Sequence, residues 1–504
     1  MGLASTRSVA LAGVEGHLIE VQADLAEGLP GLSLTGLPDP AVAESRDRIR
    51  AAVVNSGESW PQRRITLALL PATLPKHGSG FDLPLAVAIL CAAGAVPAGS
   101  VADAVLIGEL GLDGRVRPVR GVLAAVLAAA RAGVGWAVVP AANAAEAALV
   151  PDVRVCGFAS LVDLLAHLRG DPVPVVTGEQ ALTTADTPCP DLADVVGQAF
   201  GRRVLEVAAA GGHHALFIGP PGAGKTMLAE RLPGILPPLV DEDALEVTAV
   251  HSVAGVLPPG AGLIRRPPFQ DPHHTATVPA LVGGGTGLPR PGAVSLAHRG
   301  VLFMDECPEF SVGALEALRQ PLERGSVLVS RARATVRFPA RFQLVLAANP
   351  CPCARVGDAT CTCAPSARRR YLARLSGPLL DRIDLQVWLT AVTRAELLGD
   401  LPPAESTEVV ARRVADARGA AVERWGRQWR TNADVPGTEL RSRWRLPAEV
   451  TRPAERALER GVLSARGFDR VLRIAWTLAD LSGRTCPDVG DVAEAVGMRS
   501  RRAA

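Results

Sequence analysis

Gly219-Pro-Pro-Gly-Ala-Gly-Lys225-Thr226 follows the apolar run Ala215-Leu-Phe-Ile218 and precedes a helical pattern, an order that restricts the surrounding fold more than any other segment. The spacing fits G-x-x-x-x-G-K-[ST], in which successive backbone N–H groups turn inward around phosphate oxygens. Gly219, Pro220, Pro221, Gly222, Ala223 and Gly224 are the candidate cradle. Lys225 would reach the β/γ oxygens of a nucleotide, and the Thr226 hydroxyl would ligate Mg²⁺. The helix starting near Lys225 adds the positive end of its dipole. Strands alternating with helices around such a loop predict an α/β core with a parallel sheet.

Gly300-Val-Leu-Phe-Met-Asp305-Glu306 is a buried-strand run that ends in two carboxylates, and at the C-terminal edge of that sheet both would face the phosphate loop. Asp305 is expected to hold Mg²⁺, and Glu306 to orient and polarise the attacking water. A third run, Phe342-Gln-Leu-Val-Leu-Ala-Ala-Asn349, ends in an amide suited to the γ-phosphate or the lytic water. An Asn before Pro350 is also a good turn former. Together the three strand ends describe ATP hydrolysis with Mg²⁺.

In this order the motifs resemble an AAA+ ATPase. Lys225 and Asp305 are 80 positions apart, which predicts an insertion at about 251–292. It holds Phe269-Gln-Asp-Pro-His273-His274-Thr, Leu281-Val-Gly-Gly-Gly-Thr-Gly287 and, at its end, Pro291-Gly-Ala-Val-Ser-Leu-Ala-His298. With Ser376-Gly-Pro-Leu-Leu-Asp-Arg382-Ile-Asp-Leu, these segments are similar to the magnesium-chelatase-like clade, and within it to the ComM/YifB-type proteins of bacteria, over nearly the whole chain. The resemblance implies a ring, expected to be a hexamer, in which Arg382 sits at a subunit edge and serves a neighbour's γ-phosphate. It also implies a small helical lid whose segment Leu463-Ser-Ala-Arg466-Gly-Phe-Asp-Arg470-Val-Leu-Arg473 supplies Arg466 to the nucleotide, with Arg473 behind it. As substrate it implies DNA: a helicase driving branch migration during recombination of incoming strands, with recombination proteins as partners.

Residues 1–170 alternate short strands, such as Leu18–Gln22 and Arg64–Leu69, with helical stretches. Leu74-Pro-Lys-His-Gly-Ser-Gly-Phe-Asp-Leu and Gly108-Glu-Leu-Gly-Leu-Asp-Gly-Arg resemble the proteolytic domain of Lon-type proteases, an α/β fold of the ribosomal S5 domain 2-like kind. Gly80 stands where that pattern has its nucleophilic serine, with Ser79 one place early, and Leu123 stands where it has lysine. A serine without a base is not an activated nucleophile, so a Lon-like fold without the dyad is expected and proteolysis is not. Residues 171–190, rich in Pro and Thr, read as a linker, 191–400 as the ATPase core and 401–504 as a helical lid domain. From Pro403 onward 19 Arg stand against 14 Asp plus Glu, a net charge of +5 in a chain whose total is +2.

Val119–Val139 comes nearest to a membrane span, but Arg120, Arg131 and its glycines make it an amphipathic helix followed by a strand. The start, Met1-Gly-Leu-Ala-Ser-Thr-Arg, lacks a signal core, so a cytoplasmic address without a membrane partner is expected. Cys351-Pro-Cys353 and Cys361-Thr-Cys363 are candidate Zn²⁺ ligands, with four reduced thiols as the other reading. Arg265, Arg266, Phe269, Arg290 and Arg368-Arg-Arg370 are expected to track and stack DNA in a ring pore. His273 and His274, adjacent in an extended chain, are expected to point apart and to serve structure. Two other readings stay open: a magnesium-chelatase motor subunit, and a regulatory or chaperone-like ATPase acting on a protein partner.

Overall fold

The computed structural model describes residues 2–499 except 40, 41, 43, 179–188, 286–288, 332–333, 354–360, 395, 397–398, 400–403 and 427. Strands β1 (Gly2–Ala12), β2 (Glu15–Ala26), β3 (Gly31–Thr35), β4 (Arg64–Leu70) and β5 (Ala104–Leu106) begin the first domain. A small ladder of β6 (Glu109–Leu110) and β7 (Val116–Arg117) follows, then β8 (Trp136–Pro140) and β9 (Arg154–Phe158). Seven of them form one mixed sheet in the order β3-β4-β2-β1-β5-β8-β9. In β2 the side chains of Ile19, Val21, Ala23 and Leu25 are buried while Glu20 is exposed, the period of two expected of a strand with one face on the core. The helix Asp82–Ala92 is buried from Asp82 to Cys91, and it packs on β1 and β2.

The stretch read as a linker is partly docked. Gly157 and Val176 exchange both backbone hydrogen bonds, at 2.8 and 3.1 Å, so 171–178 runs beside β9; residues 179–188 lie outside the described set. The helix Val122–Arg131 then packs against the helix Asp241–Ala254 of the second domain. Glu146 fastens this seam: its carboxylate accepts the Leu123 backbone N–H at 3.1 Å and the Ser252 hydroxyl. The position read as that of a lost catalytic lysine is therefore a buried leucine at a domain junction.

The second domain is built on five parallel strands, β10 (Ala215–Ile218), β11 (Phe269–Gln270), β12 (Val301–Met304), β15 (Gln343–Ala348) and β16 (Leu385–Trp388), in the order β11-β12-β15-β10-β16. Every residue of β10, β12 and β15 is buried, as in a sheet covered on both faces. The insertion expected at 251–292 is not wholly outside this core, since Phe269 and Gln270 form its edge strand. A second excursion was not anticipated: β13 (Ser326–Arg331) and β14 (Ala334–Pro339) make an antiparallel hairpin between β12 and β15.

Helices Thr407–Trp425, Ala448–Glu459, Ala465–Leu481 and Val489–Gly497 dominate the C-terminal part. The helix Ala448–Glu459 begins just after Pro447 and stops before Gly461, whose φ of 69° favours glycine. Among the described residues no helix is long and apolar enough to cross a membrane.

At the start of β16 Asp384 is buried between the second and C-terminal domains. Arg470 pairs with it, the His214 backbone N–H donates to it at 3.2 Å, and His213 Nδ1 lies 3.6 Å away. Burial alone would raise its pKa, but Arg470 and the histidines hold it well below the usual carboxylate range. His214 Nδ1 accepts the Leu344 backbone N–H at 3.0 Å, a bond that only the unprotonated nitrogen can make. Burial pushes this imidazole down to about 4. As pH falls below about 6.5 the unfolded chain takes up a proton that the folded chain refuses, so stability drops until the folded pKa is reached. Between pH 7 and 5 the loss from this group is roughly 2 kcal/mol. Urea unfolding of the wild type and of His214→Gln, compared at the two pH values, should show a smaller drop for the variant.

Candidate active site

The phosphate loop is shaped by two left-handed glycines, Gly222 at φ 76° and Gly224 at φ 75°, positions where a side chain would strain the backbone. Gly219 N–H donates to Ala348 O at 3.1 Å, which pins the loop to β15. Lys225 opens the helix Lys225–Ile235 and is 8% exposed. Its ammonium donates to Gly219 O at 2.7 Å, Pro220 O at 3.0 Å and Asn349 Oδ1 at 3.0 Å. Burial lowers its pKa, and the charges of Asp305 and Glu306 oppose that shift.

Strand order explains why three distant segments converge. Because β15 lies between β10 and β12, its C-terminal end sets Asn349 between the loop and the acidic pair. The Thr226 hydroxyl donates to Asp305 Oδ2 at 2.7 Å, so the two candidate Mg²⁺ ligands already meet. Glu306 has φ 48°, its N–H bonded to Asp305 Oδ1 at 2.8 Å, and its carboxylate is half exposed. That carboxylate lies 3.6 Å from His274 Nδ1. His273 and His274 do not point apart: a turn at His274–Thr275 breaks the extended chain and brings their ring centroids to 4.1 Å. The cradle, the ammonium held by replaceable carbonyls and the hydroxyl–carboxylate pair suit a Mg²⁺–nucleotide, which would supply a phosphoryl centre with its charge partly neutralised.

Arg382 and Arg466 are not brought to this loop. They line a cleft of about 790 Å³ with His214, Gly300, Gln343 and Asp384, residues at or just before the N-terminal ends of the strands. The phosphate loop lies at the opposite edge, roughly 13 Å away for a four-residue strand. The cleft carries nine arginines against five carboxylates and is therefore cationic. Arg382 pairs with Glu323 and donates to Pro378 O, while the exposed Arg466 stands 3.8 Å from Asp381. Arg473, read as standing behind Arg466, donates to Val435 O at 2.7 Å. The reason is that Arg470 ties the helix Ala465–Leu481 to Asp384, at the start of β16.

The four clustered cysteines do converge. Cys351 Sγ lies 3.2 Å from Cys353 Sγ and 3.4 Å from Cys361 Sγ, and all four sulfurs lie within 4.8 Å of one another. The Arg368 guanidinium beside Cys361 holds its thiol down to about 6.

The pore reading needs correction for several residues. Phe269 stacks on Phe303 at 6.0 Å in the sheet instead of presenting a face to bases, because β11 is part of the core. Arg265 is paired with Asp241 at 2.6 Å, and Arg368 is engaged with Cys361. Arg290, Arg369 and Arg370 are exposed, and Arg290 exchanges backbone hydrogen bonds with Gly284, next to exposed Arg331 on the hairpin. The hairpin's signal was present in the alternation of Ser-Val-Leu-Val-Ser-Arg and Ala-Thr-Val-Arg-Phe-Pro. Contact of His274 with Glu306 had no such signal, since 32 positions separate them. In the first domain Ser79 donates to Glu109, Leu123 is fully buried, and buried Lys76 donates to Leu69 O at 3.0 Å and to Pro71 O, so among the described residues no lysine is paired with that serine.

Family models described as "Subunit ChlI of Mg-chelatase", "Magnesium chelatase, subunit ChlI" and "Magnesium chelatase, subunit ChlI C-terminal" match residues 21–143, 191–397 and 404–499. An uncharacterised protein of Mycobacterium tuberculosis is 54% identical over 99% of this chain and 99% of its own. Competence protein ComM of Haemophilus influenzae is 40% identical over 99% of this chain and 98% of its own. Protein YifB of Escherichia coli is 40% identical over 99% and 97%.

Proposed function

This chain belongs to the YifB/ComM family of magnesium-chelatase-like AAA+ ATPases, and from that premise we propose that it is a ring motor that drives branch migration on DNA. Its fold is α/β, a P-loop core with a parallel sheet between a Lon-like first domain and a helical C-terminal domain. The observation that carries the motor reading is the meeting of Thr226 with Asp305 and of Lys225 with Asn349 at one sheet edge.

On this reading the phosphates take the place of Gly219 O and Pro220 O as partners of Lys225. Thr226 and Asp305 hold Mg²⁺, Asn349 orients the γ-phosphate or the water, and Glu306 leaves His274 to polarise that water. Arg382 and Arg466, on the far edge, would meet the loop of a neighbouring chain, which makes a ring, here taken as a hexamer, part of the catalytic unit. The four thiolates would hold a structural Zn²⁺.

Three features support DNA as the substrate. The C-terminal hundred residues are basic, Arg290 and Arg331 are exposed beside Gly284, and one full-length relative is named a competence protein. The descriptions of the matching family models favour a second reading, a chelatase motor subunit. Steady-state ATP hydrolysis with and without single-stranded and branched DNA separates them. Several-fold stimulation that weakens steeply with added salt is expected of the DNA motor. A Glu306-dependent rate indifferent to DNA would remove DNA from the reading and leave the ATPase.

A further inference from the structure

We propose that Cys351, Cys353, Cys361 and Cys363 bind one tetrahedral metal ion of the Zn²⁺ class, and that this ion holds the two water-activating strand ends in register. Only the kinetic half of this inference rests on the ATPase reading. Four thiolates around zinc, each about 2.3 Å from the ion, stand about 3.8 Å from one another. The sulfur pairs at 3.2, 3.4 and 3.5 Å need only a slight opening to reach that geometry. They are too close to surround a multi-iron cluster, whose bridging sulfides separate the ligands. The Cys363 backbone N–H faces Cys361 Sγ at 3.4 Å, the outer hydrogen bond that a metal-bound thiolate accepts.

What gives the cluster more than a structural role is where its two ends lead. Cys351 is two residues beyond Asn349, the amide on Lys225. From Cys363 the chain enters the helix Pro365–Leu372 and reaches Arg374, which donates to Pro308 O at 2.8 Å and faces Glu309 Oε2 at 3.4 Å. Those residues form the turn directly after Asp305 and Glu306. A metal ion here therefore clamps the end of β15 to the turn after β12. An angstrom of drift between a water-orienting amide and a water-polarising carboxylate costs about 100-fold in rate.

The test uses the full-length protein as purified, the same protein stripped by a chelator and then reloaded with Zn²⁺, and the double variant Cys361→Ser/Cys363→Ser. Elemental analysis should find about one zinc per chain in the purified and in the reloaded protein, and none in the stripped protein or the variant. Binding of a fluorescent ATP analogue should persist without zinc, while ATP hydrolysis falls about 100-fold and returns on reloading. Amide hydrogen exchange should accelerate in 343–353 and 365–375 without zinc, with 225–235 keeping its protection. Wild-type protein free of zinc would overturn the site. Unchanged exchange in both segments after zinc removal would overturn the clamp, a readout that stripped wild type provides even if the variant folds poorly. If zinc-replete protein does not hydrolyse ATP, the motor reading fails, and metal content and exchange still decide this one.

Discussion

Arg382→Ala is expected to bind ATP like the wild type and to hydrolyse it about 10³ to 10⁵ times more slowly, the loss seen when a guanidinium is withdrawn from a transferring phosphoryl group. Arg382 is at the N-terminal edge of the β-sheet and the phosphate loop is at the C-terminal edge, so no rotation of one side chain joins them within a chain. Within the chain it is held by Glu323 and Pro378 O. If it acts, it acts on a neighbour. Mixing Arg382→Ala with Lys225→Ala should then restore hydrolysis, because a mixed ring places an intact loop beside an intact arginine. Full activity of Arg382→Ala alone would remove the arginine from the mechanism, and mixtures that stay inactive would place its effect inside one chain.

Glu306→Gln should retain ATP and Mg²⁺ while turnover falls by roughly 10²–10⁴-fold, the usual share of a positioned general base. The amide keeps the size of the carboxylate and cannot accept the proton of the attacking water. Thr226, Asp305 and Lys225 are untouched by the change, and the Thr226–Asp305 bond at 2.7 Å and the Lys225–Asn349 bond at 3.0 Å should keep the binding half of the site assembled. Equilibrium binding of a labelled nucleotide, followed by a single-turnover chase, distinguishes trapped ATP from failed binding. A normal rate in this variant would mean that another group polarises the water.

Much of the nucleotide half was readable from local sequence. The loop, the Asp305-Glu306 strand end and Asn349 each depend on a short segment whose conformation is dictated by its own residues: glycines that accept φ near 75°, apolar runs that must be buried, a polar residue where a strand stops. Their convergence followed from one rule about parallel sheets. The helix and strand read within Val119–Val139 also form, as Val122–Arg131 and Trp136–Pro140.

The errors fall where position depends on partners far along the chain. Phe269 carries a ring fit for stacking on a base, and only its pairing with β12 shows that the ring is spent on Phe303. Arg466 sits in a motif that suggests service to a nucleotide, and only the Arg470–Asp384 pair reveals which edge of the sheet its helix attends. Sequence by itself determined that this chain has a glycine-rich phosphate-loop motif, a buried strand ending in two carboxylates, a Lon-like domain without its lysine and four thiols at short spacing, because bonding patterns within a few residues specify each of these. Tertiary structure alone decided that the arginines face away from that cradle, that Leu123 is a domain seam and that the thiols form one knot beside Asn349. Those facts depend on strand order and helix docking, which arise from contacts between segments up to at least 170 positions apart that no local pattern encodes.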